Sequence, residues 1–501
     1  MTSDAKSLYG AADVRYVAAY QPEASPSRMQ FALAIADTAW RPLDRERLTV
    51  LDLGCGRGVS ACLLAAANPG WDVIGLDLQP VHIAEARAVA AEGGLGNARF
   101  IEADVTELDE DRLVRLLPEI DVVVCYGVWT WVPDSVREGI VRLLRHRLKP
   151  GGIALFGYNA MPGWGDTLVL QRVLDEAARV VTGSETARAN AALDVLERLR
   201  DAGAQYLPAK PVVDQIISKG RKAPAYMVHE WLTSFWRPAF HADLAKALVA
   251  ARMEYGGCAR PSTSMPALQF DDAQRAVLAD PPPGFDRETL ADMFLGRRFR
   301  TDIFVRGRQG GGRDLLPEFR LVLAAAPELV KLEIKTAQGE ATLPDEQIAA
   351  LVGALAEGPK RIGDLARLPE CEKLSPLDLA VMLVESGVAN PVWRDAPDDA
   401  ATKRRMVECN KALLRHFGAE AMAIQAPLGA AVPMLGTGLP MSSSDLAVVT
   451  ALQDGLPPDA ARIARHLVLP SEGPEELERA EAGIARVLSR HLTAWRAVGL
   501  V

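Results

Sequence analysis

The chain has 501 residues, 49% hydrophobic and 24% charged, which excludes whole-chain disorder. At about 100–200 residues per domain it calls for roughly three or four domains. The formal net charge of -9 excludes a general nucleic-acid binder, which needs a basic footprint, and aromatics at 6% are scarce enough that their clusters are informative.

The first 16 residues, MTSDAKSLYGAADVRY, hold no apolar core of the secretory kind. No apolar run approaches the roughly 18–20 residues of a membrane span. Six cysteines stand at 55, 62, 125, 258, 371 and 409, with no Cys-x-x-Cys pair and no histidine beside them. That spacing does not suit a zinc site, and no metal is expected. The scatter fits a reducing compartment, so a cytoplasmic location is expected.

Residues 1–47 read as an N-terminal helical lid carrying Tyr9, Tyr16 and Tyr20. Pro22 and Pro26 break it, and a helix is expected over Ser27 to Trp40 with Ser27 as N-cap. Residues 48–165 alternate short apolar runs with amphipathic stretches. Leu48 to Leu53, Asp72 to Leu76, Ala98 to Ile101, Asp121 to Cys125 and Ile153 to Phe156 read as strands. The alternation predicts an α/β fold, a Rossmann-like doubly wound parallel sheet with helices on both faces. After Trp164 the strand signals stop, and residues 166–306 read as a helical regulatory or dimerisation domain. Gly307 to Gly312 is read as a flexible joint. Strands are expected within 314–336. Residues 313–400 are expected to form a winged-helix-like module: helix, short helix, a third helix over Ser375 to Gly387, then a hairpin. Residues 401–501 read as a C-terminal helical region.

The strongest chemical signal is Asp52-Leu53-Gly54-Cys55-Gly56-Arg57-Gly58, between the first strand and a helix. Glycines there let the backbone turn sharply and lie against a ligand. A dinucleotide fingerprint would need glycine where Val59 stands, so the spacing suits a cofactor without pyrophosphate. Asp52 can receive an ammonium. Asp77 ends the second strand, where a carboxylate takes ribose hydroxyls. Asp104 follows the third strand and can accept from an adenine amine.

At these residues the chain resembles the class I S-adenosylmethionine-dependent methyltransferases. Cys125 to Val132 (CYGVWTWV) and Gly157 to Trp164 (GYNAMPGW) look like two signatures of the subfamily that carries a methyltransferase regulatory domain. That subfamily includes rickettsial lysine methyltransferases of outer membrane protein. The resemblance continues through Tyr226 to Phe240 and Phe294 to Gly307. Tyr126 stands where the family has His, and Thr130 where it often has Ser. With a pKa of about 10, a tyrosine is a poorer base at neutral pH. The implied cofactor is S-adenosylmethionine, leaving as S-adenosylhomocysteine. The cofactor contacts expected from the motif are Asp52, Gly54, Cys55, Gly56, Gly58, Asp77, Leu78, Asp104, Val105, Tyr126 and Gly127.

Methyl transfer from a sulfonium mainly requires positioning and a dry pocket. Aromatic faces attract a cationic methyl donor and a methylammonium product. Tyr126, Tyr158 and Asn159 are the expected catalytic residues. Trp129, Trp131, Tyr16 and Tyr20 are the expected substrate contacts, with helix or lid packing as the alternative. Trp164 is read as structural. His229, Glu230, Trp231 and Trp236 are read as helix packing, His82 and His146 as solvated. Arg297, Arg298, Arg300, Arg306 and Arg308 are read as a solvated basic face. The implied activity is methyl transfer to a protein or peptide side chain, a lysine amine first. The alternatives are a small metabolite or biosynthetic peptide methylated on N, O or C, and a non-catalytic cofactor-sensing protein. The expected partners are a protein or peptide substrate and a second copy of the chain, with no nucleic acid.

Overall fold

The computed structural model describes residues 16–233, 235–468 and 473–501, so Tyr9 lies outside the described residues. Helix α1 (Pro26–Ile35) leads into the sheet with most of its residues buried. It differs from the expected Ser27–Trp40 helix at both ends. Ser25 occupies the N-cap position, and its hydroxyl pairs with Ser27 Oγ at 2.8 Å rather than with a helix N–H. Asp37, with φ of 57°, turns the chain out of the helix before Trp40.

The five expected strands form as β1 (Thr49–Leu53), β2 (Asp72–Asp77), β3 (Ala98–Glu102), β4 (Ile120–Tyr126) and β5 (Leu148–Asn159). Between them run α2 (Val59–Ala67), α3 (Pro80–Glu92), α4 (Glu110–Leu116) and α5 (Asp134–Arg147). The continuous burial of β1, β2 and β4 explains their unbroken apolar runs, since helices cover both faces of a parallel sheet.

The sheet does not end at Trp164. After β5 the chain makes a helical insertion, α6 (Leu168–Arg179), α7 (Glu185–Asp201), α8 (Lys210–Lys222) and α9 (Pro224–Glu230). It then returns as β6 (Met253–Cys258) and β7 (Phe299–Arg306), giving the order β3-β2-β1-β4-β5-β7-β6. The β1–β5 neighbours pair in parallel, while β7 runs antiparallel to both β5 and β6. These two strands interrupt the region 166–306, which the sequence reads as mostly helical.

Strand β7 was hidden by its polarity. Arg300 is 1% exposed and bonds Asp292 at 2.8 and 2.9 Å, Asp302 at 2.7 Å and Glu288 at 2.9 Å. Tyr158 on β5 donates to Asp302 Oδ2 at 2.7 Å. A buried guanidinium survives only with such pairing. Arg300 is therefore not part of a solvated basic face. Arg306 donates to the carbonyl of Leu148, and Arg308 to Thr38 Oγ1 at 2.8 Å.

The glycine run 307–312 is fastened rather than loose. Ala39 N donates to Gln309 O at 2.8 Å, and a Cβ at Gly312 would lie 2.5 Å from Thr38 O. Beyond it, the strand Arg320–Leu323 pairs with Lys360–Arg361 and Ala389–Pro391, under the helices Asp345–Ala356, Ile362–Leu365 and Pro376–Glu385. These three helices follow one another between the strands. The expected hairpin is replaced: the strand after the third helix pairs backward with Arg320–Leu323.

The C-terminal region closes on the core. The 25-residue helix Ala400–Ile424 packs on α2 and α3, and the hairpin Ala430–Val432/Thr437–Leu439 packs on α2. Tyr20 is 2% exposed in this seam. Its hydroxyl meets Thr437 Oγ1 at 2.7 Å and donates to Gly438 O at 3.0 Å. Tyr20 is thus a structural tie, not a substrate contact. Among the described residues no helix is long and apolar enough to cross a membrane. Changing Tyr20→Phe should cost about 1–2 kcal/mol of stability in denaturant titration, the worth of a lost buried hydrogen bond. Ligand affinity at the cavity beside the carboxyl ends of β1 to β4 should stay unchanged, because Tyr20 does not line it.

Candidate functional site

The strand order reverses between β1 and β4, and ligands of open α/β sheets bind outside the carboxyl ends at that point. Here β1 turns into α2 through glycines of positive φ, 74° at Gly54 and 80° at Gly58. A Cβ at Gly54 would lie 2.4 Å from Val128 Cγ2, so a side chain would collide with the loop after β4. Gly54 N and Cys55 N both donate to Leu76 O, at 2.7 and 3.2 Å. Asp77 locks the turn: Oδ2 accepts from Gly56 N at 2.9 Å and Oδ1 from Gln79 N at 2.8 Å.

These elements frame a cavity of about 460 Å³. Of the expected cofactor contacts, Gly54, Gly56, Asp77, Leu78, Asp104, Val105, Tyr126 and Gly127 line it. Three do not. Asp52 is buried beneath the loop, and burial plus the Asp77 carboxylate push its pKa up to about 7. The Cys55 thiol points at Gly75, where a Cβ would lie 2.8 Å from Sγ, and burial raises its pKa. Gly58 serves helix packing, since a Cβ there would lie 2.6 Å from Ala86 Cβ and 2.9 Å from Phe100.

The expected catalytic residues separate. Tyr126 lines the cavity, its ring laid over Gly157 and 5.5 Å from the Phe299 ring centroid. Burial pushes its phenol pKa up, so it stays protonated and is no base. Tyr158 is fully buried beside Arg300 and Asp302, away from the cavity, and is not a catalytic residue. Asn159 is 2% exposed and reaches the cavity only through Glu230, donating Nδ2–H to Oε1 at 3.3 Å. Its backbone N donates to Thr130 Oγ1 at 2.9 Å.

The expected substrate contacts separate as well. Trp131 and Tyr16 line the cavity. Trp129 is buried edge-on against Phe156, turns toward a different groove and is not a substrate contact here. Tyr16 is half exposed, and the facing Glu230 carboxylate opposes ionisation of its phenol. His82, expected to be solvated, is a wall of the cavity with Nδ1 3.5 Å from Asp77 Oδ1.

Glu230 and Thr233, which follow from no strand motif, complete the lining. Burial raises the Glu230 pKa, opposed by the Asn159 hydrogen bond and by Lys219. The sequence signal was a lone carboxylate within an aromatic stretch, YMVHEWLTSFW. Its neighbours Trp231 and Trp236 do pack, ringed around Trp164 at 5.6 and 5.3 Å between centroids. The side chain of His229 lies outside the described ones.

A family model described as a methyltransferase domain matches residues 50–152, and a predicted methyltransferase regulatory domain matches 223–306. The chain is an S-adenosylmethionine-dependent methyltransferase. It shares its fold with PKMT2 from Rickettsia typhi, solved in complex with AdoHcy. The TM-score is 0.66 at 17% identity, over 96% of this chain and 99% of that one. An uncharacterised Synechocystis protein is 28% identical over 365 residues, 71% of this chain and 70% of its own length. A ubiquinone biosynthesis O-methyltransferase of Rickettsia conorii is 36% identical over 112 residues, 22% of this chain and 35% of that enzyme.

The walls of this methyltransferase's cavity fit its cofactor. Gly54 and Gly127 leave room that a Cβ would narrow, and carboxylates stand at the ends of β2 and β3 for an adenosine. Among the described residues no His, Cys, Asp or Glu group could hold a metal.

The buried Asp52 makes stability pH-dependent. Its folded pKa lies above the unfolded one, so the folded protein holds a proton that the unfolded chain releases between about pH 4 and 7. This contribution therefore falls as pH rises through that window and is constant above it. Relative to Asp52→Asn, the ligand-free wild type should lose up to about 4 kcal/mol between pH 4 and 8 in denaturant titrations. Parallel pH profiles of the two proteins would contradict the burial assigned to Asp52.

Proposed function

We propose that this methyltransferase acts on the amine of a protein or peptide side chain, a lysine first. One observation carries the reading: the cavity is built for cations. Among the described residues its lining holds three carboxylates, Asp77, Asp104 and Glu230, and three aromatic side chains, Tyr16, Tyr126 and Trp131, but no lysine or arginine. Aromatic faces and carboxylates favour a sulfonium donor and an ammonium acceptor together.

In this reading Asp77 takes the ribose hydroxyls with the lone pairs left over from Gly56 N and Gln79 N. Asp104, whose Oδ1 already accepts from Thr106 N at 2.8 Å, takes the adenine amine. The Gly54–Gly56 backbone lies against the methionine end. Bound S-adenosylmethionine supplies an electrophilic methyl group. The chain's own task is to orient an amine toward it and to keep water out.

A metabolite O-methyltransferase is the second reading, favoured by the 36% identity with the R. conorii enzyme. That likeness spans 112 residues and so lies outside most of this chain. Incubation with methyl-labelled S-adenosylmethionine and cell lysate separates the two. Labelled N-methyl-lysine in protein hydrolysates is the expected result; label only in small molecules would sink the first reading. Asp77→Ala should weaken cofactor affinity by about 1–3 kcal/mol in calorimetry, the cost of a lost charge-assisted hydrogen bond.

A further inference from the structure

We propose that Glu230 is a catalytic residue, the proton acceptor that converts the incoming ammonium into the nucleophile, with Asn159 as its positioning residue. The inference rests on the amine reading above. Glu230 is the last residue of α9, so the carboxylate enters the cavity from the helical insertion and not from the sheet. Asn159, the last residue of β5, grips it through Oε1 at 3.3 Å. Asn159 is in turn fixed by its backbone bonds to Thr130 Oγ1 and Ala239 N. A 2% exposed amide aimed at a cavity carboxylate is a positioning device rather than a surface contact.

Elimination among the lining groups leads to the same residue. Both Asp77 oxygens hold backbone N–H groups, one of Gly56 in the glycine loop and one of Gln79 after β2, and Asp104 holds Thr106. His82 stands against Asp77. The phenols of Tyr16 and Tyr126 are pushed upward in pKa and can donate a proton but not take one near neutrality. Glu230 is the remaining carboxylate on the wall with Tyr16, Tyr126 and Trp131. Burial moves its pKa toward neutrality, against the pull of Asn159 and Lys219, and the negative charge faces Tyr16. A carboxylate so raised is a better match for an amine proton than a solvated one.

The step balances simply. An N–H bond of the ammonium breaks and its proton passes to a Glu230 oxygen. The freed electron pair on nitrogen forms the C–N bond as the methyl–sulfur bond breaks. That bond's electron pair stays on sulfur, leaving a neutral thioether. Glu230 then returns the proton to water.

The test compares wild type, Glu230→Gln and Glu230→Asp in the full-length protein. S-adenosylhomocysteine affinity by calorimetry should stay within about threefold, because Glu230 lies outside the glycine loop. N-methyl-lysine formation by Glu230→Gln should fall about 10²–10⁴-fold, with part of it recovered in Glu230→Asp. The pH profile should also change shape. Wild type levels off above the Glu230 pKa, whereas Glu230→Gln keeps rising toward pH 9 as solution base deprotonates the amine. Butylammonium, titrated into the S-adenosylhomocysteine complex, should bind Glu230→Gln about tenfold more weakly, the loss of one charge-assisted hydrogen bond. Wild-type rate and pH profile in Glu230→Gln overturn the assignment while leaving the amine reading intact. Loss of cofactor binding in both variants overturns it in favour of a structural role. A wild-type product methylated on O or C overturns both readings together.

Discussion

The glycine loop is held by one buried guanidinium. Arg57 is 4% exposed and cannot stay charged there without partners. It bonds Glu85 of α3 at 2.5 Å and both oxygens of Glu420 at 2.6 Å, and it lies 4.6 Å from the Phe417 ring centroid. It also donates to Tyr16 O at 3.3 Å. A single side chain in the loop therefore ties together the core, the Ala400–Ile424 helix and the segment carrying the cavity's Tyr16. Removing either glutamate would leave the buried guanidinium with a single carboxylate partner. This explains why the C-terminal region can matter to the cavity without lining it.

The cavity is consequently a joint construction. Strands β1 to β4 supply the loop, Asp77, Asp104 and Tyr126. The N-terminal segment adds Tyr16, and the insertion between β5 and β6 adds Glu230 and Thr233. The insertion is anchored where it meets the sheet. Trp164 stacks edge-on against Trp231 and Trp236, and its indole N–H donates to Arg298 O at 2.6 Å. Position of α9, and with it Glu230, follows from that aromatic cluster and from the Asn159 bond.

What the sequence revealed follows from how each residue is surrounded. Strands β1, β2 and β4 are buried on both faces, so their apolar runs were legible and their ends fell within a residue or two. The glycine loop was legible because positive φ has few substitutes for glycine. Strand β7 was not, because its buried positions hold Arg300 and Asp302, compensated by each other, by Asp292 and Glu288 just upstream and by Tyr158 on β5. Side-chain direction was the harder problem. Tyr158 and Asn159 are adjacent, yet alternation along β5 sends the first toward Arg300 and the second toward Glu230. Trp129 and Trp131 stand two residues apart in a one-turn helix, so they face different grooves. Nearness to the sheet edge told where the chemistry lies, but not which ring reaches it.

That division has a chemical consequence. The cofactor end is built from groups pinned by their own backbone, Asp77 to Gly56 and Gln79, Asp104 to Thr106. These bonds do not involve the insertion or the N-terminal segment. The acceptor end is built from Tyr16 and Glu230, which belong to those two segments. Asn159 reaches across from the core by gripping Glu230 rather than by lining the cavity. Substitutions in the outer segments can then change which acceptor fits while cofactor contacts stay as they are. In the proposed reading the core holds the methyl donor, and the residues outside it choose what receives the methyl group.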